Sequence, residues 1–194
     1  TDQGLRDNRT DEAFFNWILA HGAQSVINLA NPFFSHQMNS PDGVNLMANT
    51  SVLAVSIPLT PVTLLLGPRI TVHLFLVLAR IGTALTWYLV LSRPLRLRRA
   101  AAWVGAVFCG YSPAMVSHAN GHPNIVAQFV VPLIVWRTLR LRGSTRWRLD
   151  GVLLGLLIAW QALINLEILL LTAVGLGVFV AIVAGLDPRL RRDA

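Results

Sequence analysis

The sequence predicts an all-α, polytopic membrane protein with about five full transmembrane helices and amphipathic juxtamembrane helices beside them. Three observations carry this. Of 194 residues, 54% are hydrophobic and 13% charged, with a mean hydropathy of +0.57, far from the balance of an ordinary soluble domain. The apolar residues fall in runs near 69–91, 100–117, 123–138, 149–166 and 168–186, lengths suited to crossing a bilayer. All sixteen basic residues are arginine, and most sit in clusters between those runs.

In chain order, residues 1–12 are polar and hold four acids, Asp2, Asp7, Asp11 and Glu12, against Arg6 and Arg9, the composition of a loop. From Asp11 onward Phe14, Phe15, Trp17, Ile18, Val26, Ile27 and Leu29 alternate with Asn16, His21, Gln24 and Asn28 at roughly helical spacing. This predicts an amphipathic helix lying on a surface, capped by Thr10. Asn31-Pro32 and Ser40-Pro41-Asp42-Gly43 mark turns. Residues 51–66 are apolar but interrupted by Pro58 and Pro61; a straight helix there covers about 24 Å of a hydrocarbon core about 30 Å thick. If this segment crosses, Asp11 is cytoplasmic; if it is a broken juxtamembrane helix, Asp11 lies with the later histidines. The prolines, the short length and the lack of a basic excess before it favour the second. The Gly67-Pro68 turn then divides an extracytoplasmic loop, residues 1–68, from a transmembrane domain, residues 69–194.

Arginines fall in three runs: Arg93, Arg96, Arg98 and Arg99; Arg137, Arg140, Arg142, Arg146 and Arg148; and Arg189, Arg191 and Arg192. Two crossings separate each run from the next, so all share one face, which the bias of basic residues toward cytoplasmic loops makes the cytoplasmic one. The expected setting is multi-pass in a bacterial plasma membrane, with His118, His122 and Glu167 facing outward. Because the positive charge lies between spans rather than along one soluble face, a net charge of +7 does not point to nucleic acid. The single Cys109 excludes an intrachain disulfide or a thiolate metal cluster. P-loop, dinucleotide, zinc-protease and serine-hydrolase signatures are absent. The chain begins at Thr1 with no signal-peptide pattern and reads as a piece of a longer protein, cut at both ends.

The polar island Ser117-His118-Ala119-Asn120-Gly121-His122-Pro123-Asn124 lies between two apolar runs. His118 and His122 are four apart, but Gly121 and Pro123 argue against the continuous helix a shared metal would need; a loop of hydrogen-bond donors for a phosphate or sugar remains, beside the simpler reading of a wetted turn. Asp11 sits where polar loop meets amphipathic helix, as a reactive carboxylate or an acid favoured by the helix dipole. Glu167 is the only charge between Asp150 and Asp187, so it faces a partner or watered cavity, or caps a helix break. Arg80 lies mid-span and needs a carboxylate, carbonyl or anionic ligand. The six tryptophans read as interface anchors or packing.

With these residues in view, the chain resembles the GT-C superfamily of multi-spanning glycosyltransferases. The likeness rests on D-x-x-x-x-x-W at residues 11–17, NPFF at 31–34, PDGVNL at 41–46, the proline-containing segment ending in Gly67-Pro68, YSP at 111–113, G-H-x-N at 121–124 and the acid Glu167. It departs from the pattern at Glu12, where a proline often stands, at Asn165-Leu166-Glu167, where related chains tend to carry two acids, and at His73 and Arg80. The resemblance implies an inverting transferase with Asp11 as catalytic base; the residues themselves, read with it, add His118, His122, Asn124, Glu167 and Arg80 as substrate-binding residues. Its donor is a sugar on a polyprenyl phosphate, its acceptor a cell-envelope glycan, lipid or protein, with membrane lipids as surroundings and no nucleic acid as partner. No cofactor is assigned, and a divalent metal stays open because metal dependence varies among the family's members. Two other classes compete: a transporter or flippase for a lipid-linked or anionic substrate, and a catalytically inactive scaffold for envelope assembly.

Overall fold

The computed structural model describes residues 9–48, 50–141 and 143–186; Arg142 and the third arginine run lie outside the described residues. Among the described residues the fold is all-α apart from one minimal hairpin. Helix α1 (Arg9–Ile27) is followed by β1 (Phe34–Ser35) and β2 (Val44–Asn45), paired antiparallel, then a 3-10 turn, Leu46–Ala48. Two short helices follow, α2 (Leu53–Ser56) and α3 (Thr60–Leu66), then α4 (Pro68–Ser92), α5 (Arg99–Tyr111), α6 (Pro113–His118), α7 (Pro123–Val126), α8 (Val131–Leu141), α9 (Trp147–Ala162) and α10 (Leu166–Leu186). Proline opens α3, α4, α6 and α7, where its fixed φ suits the first turn and its missing N–H costs nothing.

Four stretches among the described residues are long and apolar enough to cross a membrane: Pro68–Ser92, Arg99–His118, Pro123–Leu141 and Leu166–Leu186. That is one fewer than the five apolar runs suggest. The run at 149–166 forms a helix of 16 residues, about 24 Å long, because the chain breaks at Leu163 and restarts at Leu166. Asn165 makes the break: its Oδ1 accepts from the backbone N–H groups of Glu167 at 2.8 Å and Ile168 at 3.1 Å, capping the bare N-terminus of α10. Along α10, Leu170, Val174, Val178 and Ile182 are all exposed, an apolar surface that fits lipid rather than water.

Helix α1 corrects two expectations. It begins by Arg9, so residues 9–12 are helical rather than loop and Thr10 lies inside the helix instead of capping it. It is also a core element, not a helix resting on a surface. Phe15, Ile18 and Leu19 are buried in one cluster with Val72, Phe75 and Ala79 of α4 and with Val126, Val130, Ile134 and Ile164, each large apolar side chain contributing about 1.5–3 kcal/mol. Gly22 permits the close approach of α1 to α2, since a Cβ there would overlap the Ser56 side chain.

Inside lipid, broken helices need partners for their freed backbone groups. At the α7–α8 break, Thr83 Oγ1 on α4 donates to the Val126 carbonyl and accepts from the Gln128 N–H, both at 3.2 Å. At the α9–α10 break, the Ala54 N–H of α2 donates to the Leu163 carbonyl at 3.2 Å. Helices α2 and α3 are thus broken around Pro58 and held against the bundle, α3 also by the Thr63 hydroxyl donating to Thr71 of α4 at 3.2 Å. Glu12 lies 3.8 Å from Arg69 in the first turn of α4. Asp11 therefore sits at the end of α4 remote from Arg93, Arg96, Arg98 and Arg99, with 25 helical residues between, about 37 Å.

Candidate functional site

The core of the site is an imidazole–carboxylate pair. Asp11, in the first turn of α1, brings its Oδ2 to 3.0 Å from Nε2 of His122. His122 precedes α7, between Gly121, whose φ of 120° suits the residue without a Cβ, and Pro123, which starts the helix. The His122 N–H donates to the His118 carbonyl at 2.9 Å, bringing the two rings edge to face at 5.8 Å. The side chains of Asp11 and His122 are 38% and 40% exposed, so water and a substrate reach them. With Nε2 bonded to the Asp11 carboxylate, His122 has Nδ1 left for a substrate, an acceptor on the neutral ring and a donor on the protonated one.

Two residues on, Asn124 is buried and its Nδ2 donates to Thr50 Oγ1 at 3.3 Å. Thr50 lines a cleft of about 200 Å³ with Ala48, Asn165, Leu166 and Glu167. Five of the six expected site residues, Asp11, His118, His122, Asn124 and Glu167, thus come from the start of α1, the α6–α7 turn and the start of α10, with Thr50 bonded to Asn124 and lining the cleft beside Glu167. Arg80 is not placed with them by any contact: its guanidinium stacks 4.5 Å over the Tyr111 ring, and its buried Nε has no hydrogen-bond partner among the described residues. Among the described residues its contact is an aromatic face rather than a carboxylate or a carbonyl.

Around the pair, Trp17 donates from Nε1 to Gln37 Oε1 at 3.0 Å, tying the hairpin loop to α1, and stacks on His21 with centroids 5.2 Å apart. Burial lowers the His21 pKa below the usual imidazole range, opposed by a hydrogen bond to the Pro32 backbone. Sequence reasoning passed over Glu12, Thr50 and Asn165. Glu12 reads as a second first-turn acid, yet it is buried; Thr50 is one hydroxyl among many; Asn165 was seen only as a missing acid. A polar residue two positions before Glu167 was the available signal, since an N-cap belongs there. Among the described residues no group of three or more His, Cys, Asp or Glu side chains converges as metal ligands.

Fold and site together define a class: an all-α protein with helices fit to cross a membrane and a water-accessible polar cluster at one end of the bundle. The chain belongs to the DUF6311 family, described as a domain of unknown function, whose family model matches residues 27–191. No curated protein and no solved structure matches it. His118, His122, Asn124, Glu167 and Arg80 fall within the matched residues and Asp11 before them.

Proposed function

We propose that the protein is a membrane glycosyltransferase that moves a sugar from a polyprenyl-phosphate donor to a cell-envelope acceptor on the extracytoplasmic face. The observation that carries the reading is the 3.0 Å contact between Asp11 and His122, which joins the proposed base to the polar turn in a water-accessible position. A hydroxyl is a weak nucleophile near neutral pH, and a positioned carboxylate removes its proton as it attacks the anomeric carbon. The bond to the leaving phosphate breaks as the new glycosidic bond forms on the opposite face, inverting the centre. His118, His122 and Asn124 donate hydrogen bonds to the phosphate or the sugar as charge develops, and Glu167 orients the sugar. The polyprenyl phosphate already activates the sugar, so the reaction uses no nucleotide site.

In this reading α9 counts as a fifth crossing, returning the chain from the arginine-bearing turn before it to the Glu167 end. The arginine runs are then cytoplasmic and the cluster faces outward. The test is Asp11→Asn in the purified protein: transfer from a polyprenyl-phosphate sugar falls by about 100-fold or more, while insertion and thermal midpoint stay at the parent's level. Undiminished turnover removes Asp11 from the mechanism.

A further inference from the structure

The cleft beside Glu167 has the chemistry of a selective subsite. Asn165 is 3% exposed and its Oδ1 is occupied by two backbone N–H donors, Glu167 at 2.8 Å and Ile168 at 3.1 Å. Those two donors fix which amide atom is which, so Nδ2 is the other end of the group, and this buried donor has no partner among the described residues. Asn124 shows the complement: Nδ2 is given to Thr50, and the buried Oδ1 has no partner. Buried amide atoms are nearly always bonded. The cleft also carries one exposed carboxylate, Glu167, and the Thr50 hydroxyl.

We infer that this cleft binds the hydroxyl-bearing ring of a neutral sugar, Asn165 Nδ2 donating to one ring hydroxyl and the Glu167 carboxylate accepting from another. An amide donor beside a carboxylate acceptor matches hydroxyls, which give and take at once. The same carboxylate repels a phosphate or a uronate, so the lipid phosphate belongs on the histidine side and an acidic sugar is rejected. The inference rests on the transferase reading for the lipid carrying the ring, but its test is binding rather than transfer.

The test compares a polyprenyl phosphate alone with the same polyprenyl phosphate bearing neutral hexoses and pentoses, or glucuronate, on the full chain in nanodiscs. Asn165→Asp keeps an oxygen for both N–H groups, and so the helix start, while replacing the donor with an acceptor. At least one neutral sugar tightens binding over the bare lipid, Asn165→Asp removes about tenfold of that margin, and bare-lipid affinity does not change. Glucuronate binds worse than its neutral counterpart, and Glu167→Gln narrows that gap. Binding of every sugar lipid no tighter than the bare lipid, an undiminished margin in Asn165→Asp, or a preference for glucuronate each overturns the subsite. An intact margin without transfer counts against the transferase reading and leaves the subsite standing.

Discussion

Asp11 and Glu12 are neighbours with opposite roles. Asp11 and His122 are each more than a third exposed, and an ion pair in such a position contributes about 0–1 kcal/mol, too little for stability to explain why an acid meets a histidine more than a hundred residues away. Glu12 points inward, its side chain 8% exposed beside Arg69, and anchors α1 to α4. Further along α1, between two and three turns on, His21 gives a pH signature. Burial lowers its pKa, so the folded chain binds fewer protons than the unfolded one, and stability falls as pH drops below the unfolded value of about 6.5. His21→Phe should flatten that acid limb in a plot of melting midpoint against pH; an unchanged limb would assign the loss to other groups. Of these residues, Asp11, His118, His122, Asn124 and Glu167 were legible because polar groups stand out in apolar sequence. Glu12, Thr50 and Asn165 were not, since their importance lies in burial and in contacts between distant segments.

Among the helices, the apolar runs gave positions well and breaks poorly. The run at 100–117 bends at Ser112, where α5 ends and Pro113 starts α6, and the run at 123–138 breaks between Val126 and Val131. Pro113 signals the first and Pro132, second residue of α8, the second, which Thr83 on another helix stabilises. For α1 the alternation of polar and apolar residues was right and its partner wrong, since periodicity shows that a face is apolar and not what covers it. The α4–α5 pair supplies a test of packing. A Cβ at Gly110 would lie 2.8 Å from the Ala84 Cβ and 3.0 Å from the Arg80 carbonyl, so Gly110→Val pushes the helices apart and disturbs the neighbouring Arg80–Tyr111 contact. It should destabilise the protein by about 1–3 kcal/mol, read as a lower melting midpoint in detergent. Gly175→Ala, where a Cβ meets open space, should be neutral or stabilising; equal losses at both sites would count against this packing.

In the whole molecule, charge and chemistry separate to opposite ends. Arg93, Arg96, Arg98 and Arg99 follow the C-terminus of α4, while Glu12 and Arg69 hold its N-terminus beside the Asp11–His122 pair. A second charged centre, Asp150 with Arg137, Arg140 and Ser144, joins α8 to α9. It lies where the chain turns between those helices, next to the second arginine run. Arginine placement anticipates that the first arginine run lies at the far end of α4 from His122. It left open the side on which the first acid falls, because residues 51–66 permitted either route. The contact of Asp11 with His122 places it with the histidines, and α2 and α3 are short, broken helices anchored to Leu163 and Thr71. The account stands on that shared location, and cysteine accessibility in intact cells measures it. In a Cys109→Ala background, single substitutions Asp11→Cys, Asn120→Cys and Glu167→Cys are expected to react with a membrane-impermeant thiol reagent from outside, and Arg98→Cys only after permeabilisation. Reaction of Asp11→Cys together with Arg98→Cys, on the side opposite Asn120→Cys, would contradict it.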